Sequence, residues 1–240
     1  MTERWTTLAF DVGPASEHFA RSNRLVREVV EPSVWWHKAS QPALILGVGQ
    51  QTSIDLQTCR ALEIEVVRRQ AGGTAILAQP DVLGLDVALP PDHILVRGDI
   101  VEAYRWLGET WGGALRKLGI DARVISVAEA RLTSFDSADI LRAACFGSLS
   151  PYEVAVAGKK LVGMAQVRRK TGVLLQSAVH RRFDSTMLAR LLGGGRDLEA
   201  QLDAAATGLD DVTSEAPTDE AVIAAFAESL YEQFNIELIC

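Results

Sequence analysis

Two side chains in this sequence have the types and the spacing for nucleophilic acyl chemistry, and they lie fifteen residues apart: Cys145 in ILRAACFGSLSP and Lys160 in GKKLVGMAQ. A thiol attacks a carbonyl as its thiolate, and a neighbouring cation brings a free-cysteine pKa of about 8.5 down toward neutrality. A lone cysteine among small residues is more often packed and inert, so the catalytic reading needs such a cation. Lys160 supplies it if one loop, one strand and one turn fold Cys145 and Lys160 together. Lys159 reads as a solvated turn residue. Lys160 starts a strand and, by the two-residue period, shares a face with Val162, Met164 and Gln166, while Gly163 on the other face permits close packing. A third segment, VVRRQAGGTAIL, sets Arg68 and Arg69 before Gly72, Gly73 and Thr74. Paired glycines let backbone amides approach an anion or a carbonyl, although a GG turn alone is equally a tight connection.

These segments must be held by strands and helices. Residues 5–10 read as a strand, and Pro14 opens a helix that Pro32 stops. SVWWHK and ALILGV are short apolar segments, Asp55 caps a short helix, and IEVVR is a β-branched strand. TAILA and GLDVALP read as a strand pair about Pro80 and Asp81, the second with Leu85, Val87 and Leu89 on one face and Asp86 and Ala88 on the other. Ile100, Tyr104, Leu107, Trp111, Leu115 and Leu118 follow helical spacing up to Gly119. The stretch from Tyr152 to His180 reads as three strands turning at 157–159 and 170–172. From Gly193 to Pro217 the chain reads as a loop or weak helix, then a helix from Thr218 to Phe234 precedes the strand NIELI. The mixture predicts an α+β fold, a mainly antiparallel mixed sheet with flanking helices, in a single domain over residues 1–240.

Bulk properties narrow the function. The chain is 48% hydrophobic and 23% charged, globular proportions, with a net charge of -7 that argues against a nucleic-acid partner. No apolar run is long enough to span a bilayer and the N-terminus lacks a leader pattern, so a cytoplasmic protein with no membrane partner is expected. Cys59, Cys145 and Cys240 form no CxxC pair and are expected reduced. His18, His37, His93 and His180 lack zinc-ligand spacing, and no metal site is expected. The basic run Arg168, Arg169 and Lys170, with Arg181 and Arg182, either steers an acidic partner or is solvated at hairpin ends.

Taken in order, three motifs resemble the lipoate-protein ligase and octanoyltransferase family, whose catalytic domain is similar to that of biotin protein ligases. QPALILGVGQ (41–50) looks like the family's opening, RRQAGG (68–73) its glycine loop, and KKLVGMA its lysine motif, which places the family's lysine on Lys160. The resemblance implies a biotin/lipoate ligase-like catalytic domain. It also implies a substrate pocket that includes Arg68, Arg69, Gly72, Gly73, Thr74, Gly163, Ala165 and Gln166. CFGSLSPYEVAVAGKK is similar to the branch in which a cysteine carries the acyl group as a thioester, which places that role on Cys145. Such a transferase needs no cofactor, takes octanoyl from acyl carrier protein, and modifies a lysine of a lipoyl domain or glycine-cleavage carrier protein. The chain's end near residue 240, without the further C-terminal domain of many ATP-using ligases, points the same way. The alternative is an ATP-dependent lipoate-protein ligase, with ATP and Mg as cofactors and Cys145 merely packed; biotin ligase is weaker, since no GRGRxG-like loop is present. Two departures stand out: Ala78 and Gln79 replace the family's His-Asp, and Leu175, Gln176, Ser177 and Ala178 stand where relatives read Leu-Gln-His-Gly. They motivate a further alternative, a non-catalytic binder of acyl groups or lipoyl domains.

Overall fold

A computed structural model describes residues 2–50, 54–135 and 144–239; Cys240 and the start of the ILRAAC segment (140–143) lie outside them. In chain order the elements are β1 (Glu3–Gly13), α1 (Ala15–Glu28), β2 (Ser33–Ala39), β3 (Ala43–Leu46), α2 (Leu56–Ala61), β4 (Glu65–Arg68), β5 (Ile76–Ala78), β6 (Val82–Leu89) and α3 (Arg105–Lys117). Then come β7 (Arg123–Val124), α4 (Val127–Phe135), β8 (Val154–Val156), β9 (Lys159–Arg168), β10 (Val173–His180), α5 (Ser185–Leu191), α6 (Arg196–Ala205), α7 (Asp219–Phe234) and β11 (Ile236–Ile239).

Eight strands form one sheet in the order β11-β1-β2-β6-β10-β9-β8-β7, parallel only where β1 meets β11 and β2. β3 pairs with β4 and β5 in a separate three-stranded sheet. This corrects the expected strand pair: β5 and β6 are joined by a turn closed by Val82 N–H to the Gln79 carbonyl, yet they enter different sheets. The reason lies in β6. All eight of its residues are buried and it pairs with β2 and β10 on its two edges, so no edge is left for β5.

The period-two pattern sorts the central strands into two faces. Val34 and Trp36 of β2, Leu85, Val87 and Leu89 of β6, and Val173 and Leu175 of β10 pack with Trp111 of α3 and Phe226 of α7. Trp36, Trp111 and Phe226 meet edge to face at 5.1–5.7 Å, contacts worth about 1 kcal/mol each beyond burial. The helix expected from Asp99 starts as 3-10 turn and becomes α-helical at Arg105, and Gly119 beyond its end takes a φ of +77°. Thr218 caps α7 through the Ala221 N–H, and Asn235 ends it in the left-handed region. The stretch from Gly193 to Pro217 contains α6. On the opposite sheet face α1 packs against β6 and β10, and a cavity opens there. Among the described residues no helix is long and apolar enough to cross a membrane.

Candidate active site

Close backbone packing builds the glycine loop. A Cβ on Gly47 would fall 1.9 Å from the Gly73 carbonyl oxygen, so LGVG and AGG fit together only as glycines. Arg68 locks this contact by donating to the carbonyls of Gly47 at 3.0 Å and Gln50 at 3.1 Å. Arg69 is buried beneath the loop and donates to the Thr74 carbonyl at 3.1 Å. Two of the three sequence motifs are thus one structural unit.

The chain returns to this unit at Cys145. The Cys145 N–H donates to the Ala75 carbonyl at 2.7 Å, and residues 145–147 make a 3-10 turn that lays the side chains of Cys145 and Phe146 over Gly163 of β9. A Cβ on Gly163 would stand 3.0 Å from the Phe146 ring and 3.7 Å from Cys145 Sγ. The absent side chain is what lets the thiol reach the sheet. Cys145 is half-buried; Cys59, the other free cysteine described, is fully buried in a core that pushes its thiol pKa up.

Lys160 meets this turn, though not from the expected face. β9 carries one extra residue opposite β8, since Val154 faces Val162 while Ala155 faces Lys160. Val162 therefore packs into the apolar core with Leu161, whereas Lys160 turns to the Cys145 side, its ammonium 2.7 Å from the Cys145 carbonyl and 5.7 Å from the centre of the Phe146 ring. A bulge re-aims a side chain in just this way. The same ammonium pairs with Glu153 Oε2 at 2.5 Å, and both side chains are almost wholly buried. Glu153 also accepts N–H groups of Ser150 at 2.7 Å and Met164 at 3.2 Å.

Two cavities adjoin Met164 and Ala165. The first, about 680 Å³ including its mouth, is mostly apolar, with Cys145, Arg69, Gly163 and Ala165 in its wall. The second, about 780 Å³, lies between Gly72, Gly73, Tyr104, Glu153 and Gln166. Burial pushes the Tyr104 phenol up to about 12, so it stays protonated. Of the expected pocket residues, Arg68 and Thr74 line neither cavity: Arg68 is spent on the Gly47 loop, and the Thr74 carbonyl accepts from Arg69. Lys160 also lies behind the wall.

Ala78, Ser177 and Ala178, at positions that depart from the family pattern, line the first cavity together with Gln176, which keeps it, while Gln79 turns away toward Asp184 at 3.4 Å. Sequence reasoning missed Glu153, whose signal is a lone carboxylate between strands of buried residues. It also missed His18, His37 and Asp86 in the cavity wall, which come from α1, β2 and β6 and share no spacing in the sequence. Arg181 is not a free steering charge; it pairs with Asp210 at 2.9 Å and donates to the Pro217 carbonyl at 2.6 Å.

A thiol in the wall of a mostly apolar cavity, a buried ammonium behind it, and this arrangement of a large and a small sheet fit a protein-modifying acyl-transfer or ligase catalytic domain. The chain belongs to the lipoyl protein ligase A/B catalytic domain family, whose model matches residues 14–231. It is 31% identical over 196 residues to octanoyltransferase LipM of Carboxydothermus hydrogenoformans, covering 79% of this chain and 70% of that one. It is 30% identical to octanoyltransferase LipM of Kyrpidia tusciae, covering 98% and 89%. Among solved structures, lipoate-protein ligase A bound with ATP superposes with a TM-score of 0.76 at 20% identity, covering 100% of this chain and 90% of that one. The bi-partite ligase of Thermoplasma acidophilum gives 0.77 at 20% identity, covering 100% and 88%. Both show the same fold, as expected from the motifs.

Proposed function

We propose that the chain transfers an octanoyl or lipoyl group to a protein lysine through a thioester on Cys145. The observation that carries this reading is the Lys160 ammonium on the Cys145 carbonyl at 2.7 Å, which fixes the thiol over Gly163 at an apolar cavity. The Cys145 sulfur attacks the carbonyl of a donor thioester, and the donor thiol leaves with the proton. The acceptor amine then attacks the new thioester, an amide forms, and Cys145 is released as a thiol. Two of the three ammonium donors of Lys160 are engaged among the described residues, so Lys160 acts from behind the wall by holding the Cys145 turn in place. In this reading Arg69, Gly72, Gly73, Gly163, Ala165 and Gln166 hold the acyl group and the donor arm, Arg68 and Thr74 shape the loop, the donor is acyl carrier protein, and the acceptor is a lipoyl domain or glycine-cleavage carrier protein. A working thiol fits a reducing compartment such as the cytoplasm.

An ATP-dependent lipoate ligase is the second reading, favoured by the fold shared with an ATP-bound ligase. The residues present fit it less well. Among the described residues the cavity beside the glycine loop has no Lys or Arg in its wall for a triphosphate, and the one carboxylate among them, Glu153, is committed to Lys160. Incubation with octanoyl-acyl carrier protein, followed by intact mass, is expected to give a Cys145 adduct without ATP. No adduct, together with full activity in Cys145→Ala and lipoate-dependent pyrophosphate exchange, would establish the ligase instead.

A further inference from the structure

The far wall of the first cavity is polar where an alkyl chain would meet it. Paired residues run in rows across the sheet: His37, Gly84, Ala178 and Gly163 form one, and Trp35, Asp86, Gln176 and Ala165 the next on the same face. Cys145 Sγ stands over Gly163, and the His37 ring fills the place over Gly84, where a Cβ would come within 2.5 Å of its Cε1. Between them in this row rises only the Ala178 methyl. Gly163 and Gly84 are two strands apart, about 10 Å at ~4.8 Å per strand. An extended chain advances ~1.2 Å per bond, so a chain anchored on Cys145 reaches His37 about eight bonds out.

There it finds a buried polar cluster. The Asp86 carboxylate accepts from Gln176 Nε2 at 2.9 Å and from the Ser22 hydroxyl. His37 Nε2 lies 3.6 Å from Asp86, and His18 Nε2 lies 3.4 Å from Asp11. Neither nitrogen has a hydrogen-bond partner among the described residues, and the two rings are 4.8 Å apart. His18, His37, Asp86 and Gln176 all line the cavity. Burial, with His37 beside it, holds His18 below the usual histidine range. An alkyl terminus pressed against this wall would leave both imidazole nitrogens with only these long carboxylate contacts, which is unfavourable. A hydroxyl donates one hydrogen bond and accepts others, so it can complete both.

We infer that the pocket selects a medium-chain acyl group bearing a hydroxyl at or near its distal carbon, in preference to the plain alkyl chain. The inference rests on the acyl-transfer reading for its anchor at Cys145. A site built to hydrogen-bond a substrate group discriminates strongly against the analogue that lacks it.

Calorimetric titration of the purified chain with octanoate and with 8-hydroxyoctanoate needs no turnover. The hydroxy acid is expected to bind at least tenfold more tightly, and His37→Phe or Gln176→Leu to erase most of that preference. Octanoate binding as tightly or more tightly, or neither acid binding, overturns the inference, and the wild-type ratio decides it whatever the variants do. The same two chains offered as acyl carrier protein thioesters separate the two levels. Equal Cys145 adducts from both refute the selectivity and leave acyl transfer intact; no adduct from either refutes acyl transfer, while the calorimetric ratio still judges the pocket.

Discussion

The Lys160 ammonium lies 2.5 Å from Glu153 Oε2, with the two side chains 1% and 3% exposed. Because Glu153 also takes the Ser150 and Met164 N–H groups, the pair ties the loop after Cys145 to β9. Removing one member of a buried pair leaves the other charge uncompensated, at a cost of about 3–5 kcal/mol. Glu153→Gln and Lys160→Met are each expected to lower the unfolding free energy by about 3 kcal/mol, and the double variant to lose far less than the sum. Urea midpoints of the four proteins at pH 7 check this; additive losses would mean that the two do not act as a pair.

Gly163→Ala tests the seat of the thiol. The new methyl would press on the Phe146 ring at 3.0 Å and touch Cys145 Sγ at 3.7 Å. Overpacking of this kind costs about 1–3 kcal/mol, and the 3-10 turn must move by a few tenths of an ångström. Acylation of Cys145 is expected to slow about tenfold or more, since small misplacements of reacting groups are costly. Quenched time points read by intact mass give the rate; an unchanged rate would show that Gly163 does not position the sulfur.

How far the sequence carries this far depends on where local pattern and tertiary pairing agree. Leu85, Val87 and Leu89 alternate with Asp86 and Ala88, and β6 divides them between its faces as the period requires. The extent of α7 and the stop at Gly119 are equally local and legible. Lys160 was recognisable as a strand residue near Cys145, but its face was not, because the extra residue in β9 is a property of the pairing with β8. The partners of β5 and β6 are likewise decided by sheets that form between distant segments. Glu153, His18 and His37 carry no spacing signature; only their burial around one cavity gives them meaning.

His180 should make stability depend on pH. It is sealed between the edges of Phe146 and Phe183 with neither ring nitrogen partnered among the described residues, and burial pushes its pKa down to about 4. The unfolded chain, with a histidine pKa near 6.5, binds the proton more readily than the fold does. Stability is therefore full above pH ~6.5 and is lost as pH falls toward 4, by about 3 kcal/mol in all. Urea midpoints at pH 7 and pH 5 are expected to differ in the wild type and to differ much less in His180→Phe, whose ring keeps the aromatic contacts. An equal drop in both would assign the pH dependence to other groups.

The hairpin that delivers Lys160 turns through Ala157 and Gly158, with φ of +48° and +83°, between Val156 and its partner Lys159. Two positive φ values in a two-residue connection make a type I′ turn, whose twist matches that of the strands and which favours Asn-Gly. Alanine in the left-handed region carries a steric cost of about 1 kcal/mol that asparagine bears more easily. Ala157→Asn is expected to raise the unfolding free energy by about 0.5–1 kcal/mol, and Gly158→Val to lower it by more than that. The activity consequence follows from the register, because Lys160 is the first residue after the Lys159 pair and the bulge comes next. If Gly158→Val shifts that pairing, it moves the ammonium off the Cys145 carbonyl. It should then reduce Cys145 acylation beyond the unfolded fraction, whereas Ala157→Asn should leave the rate unchanged; thermal unfolding and adduct kinetics on the same samples distinguish the two effects.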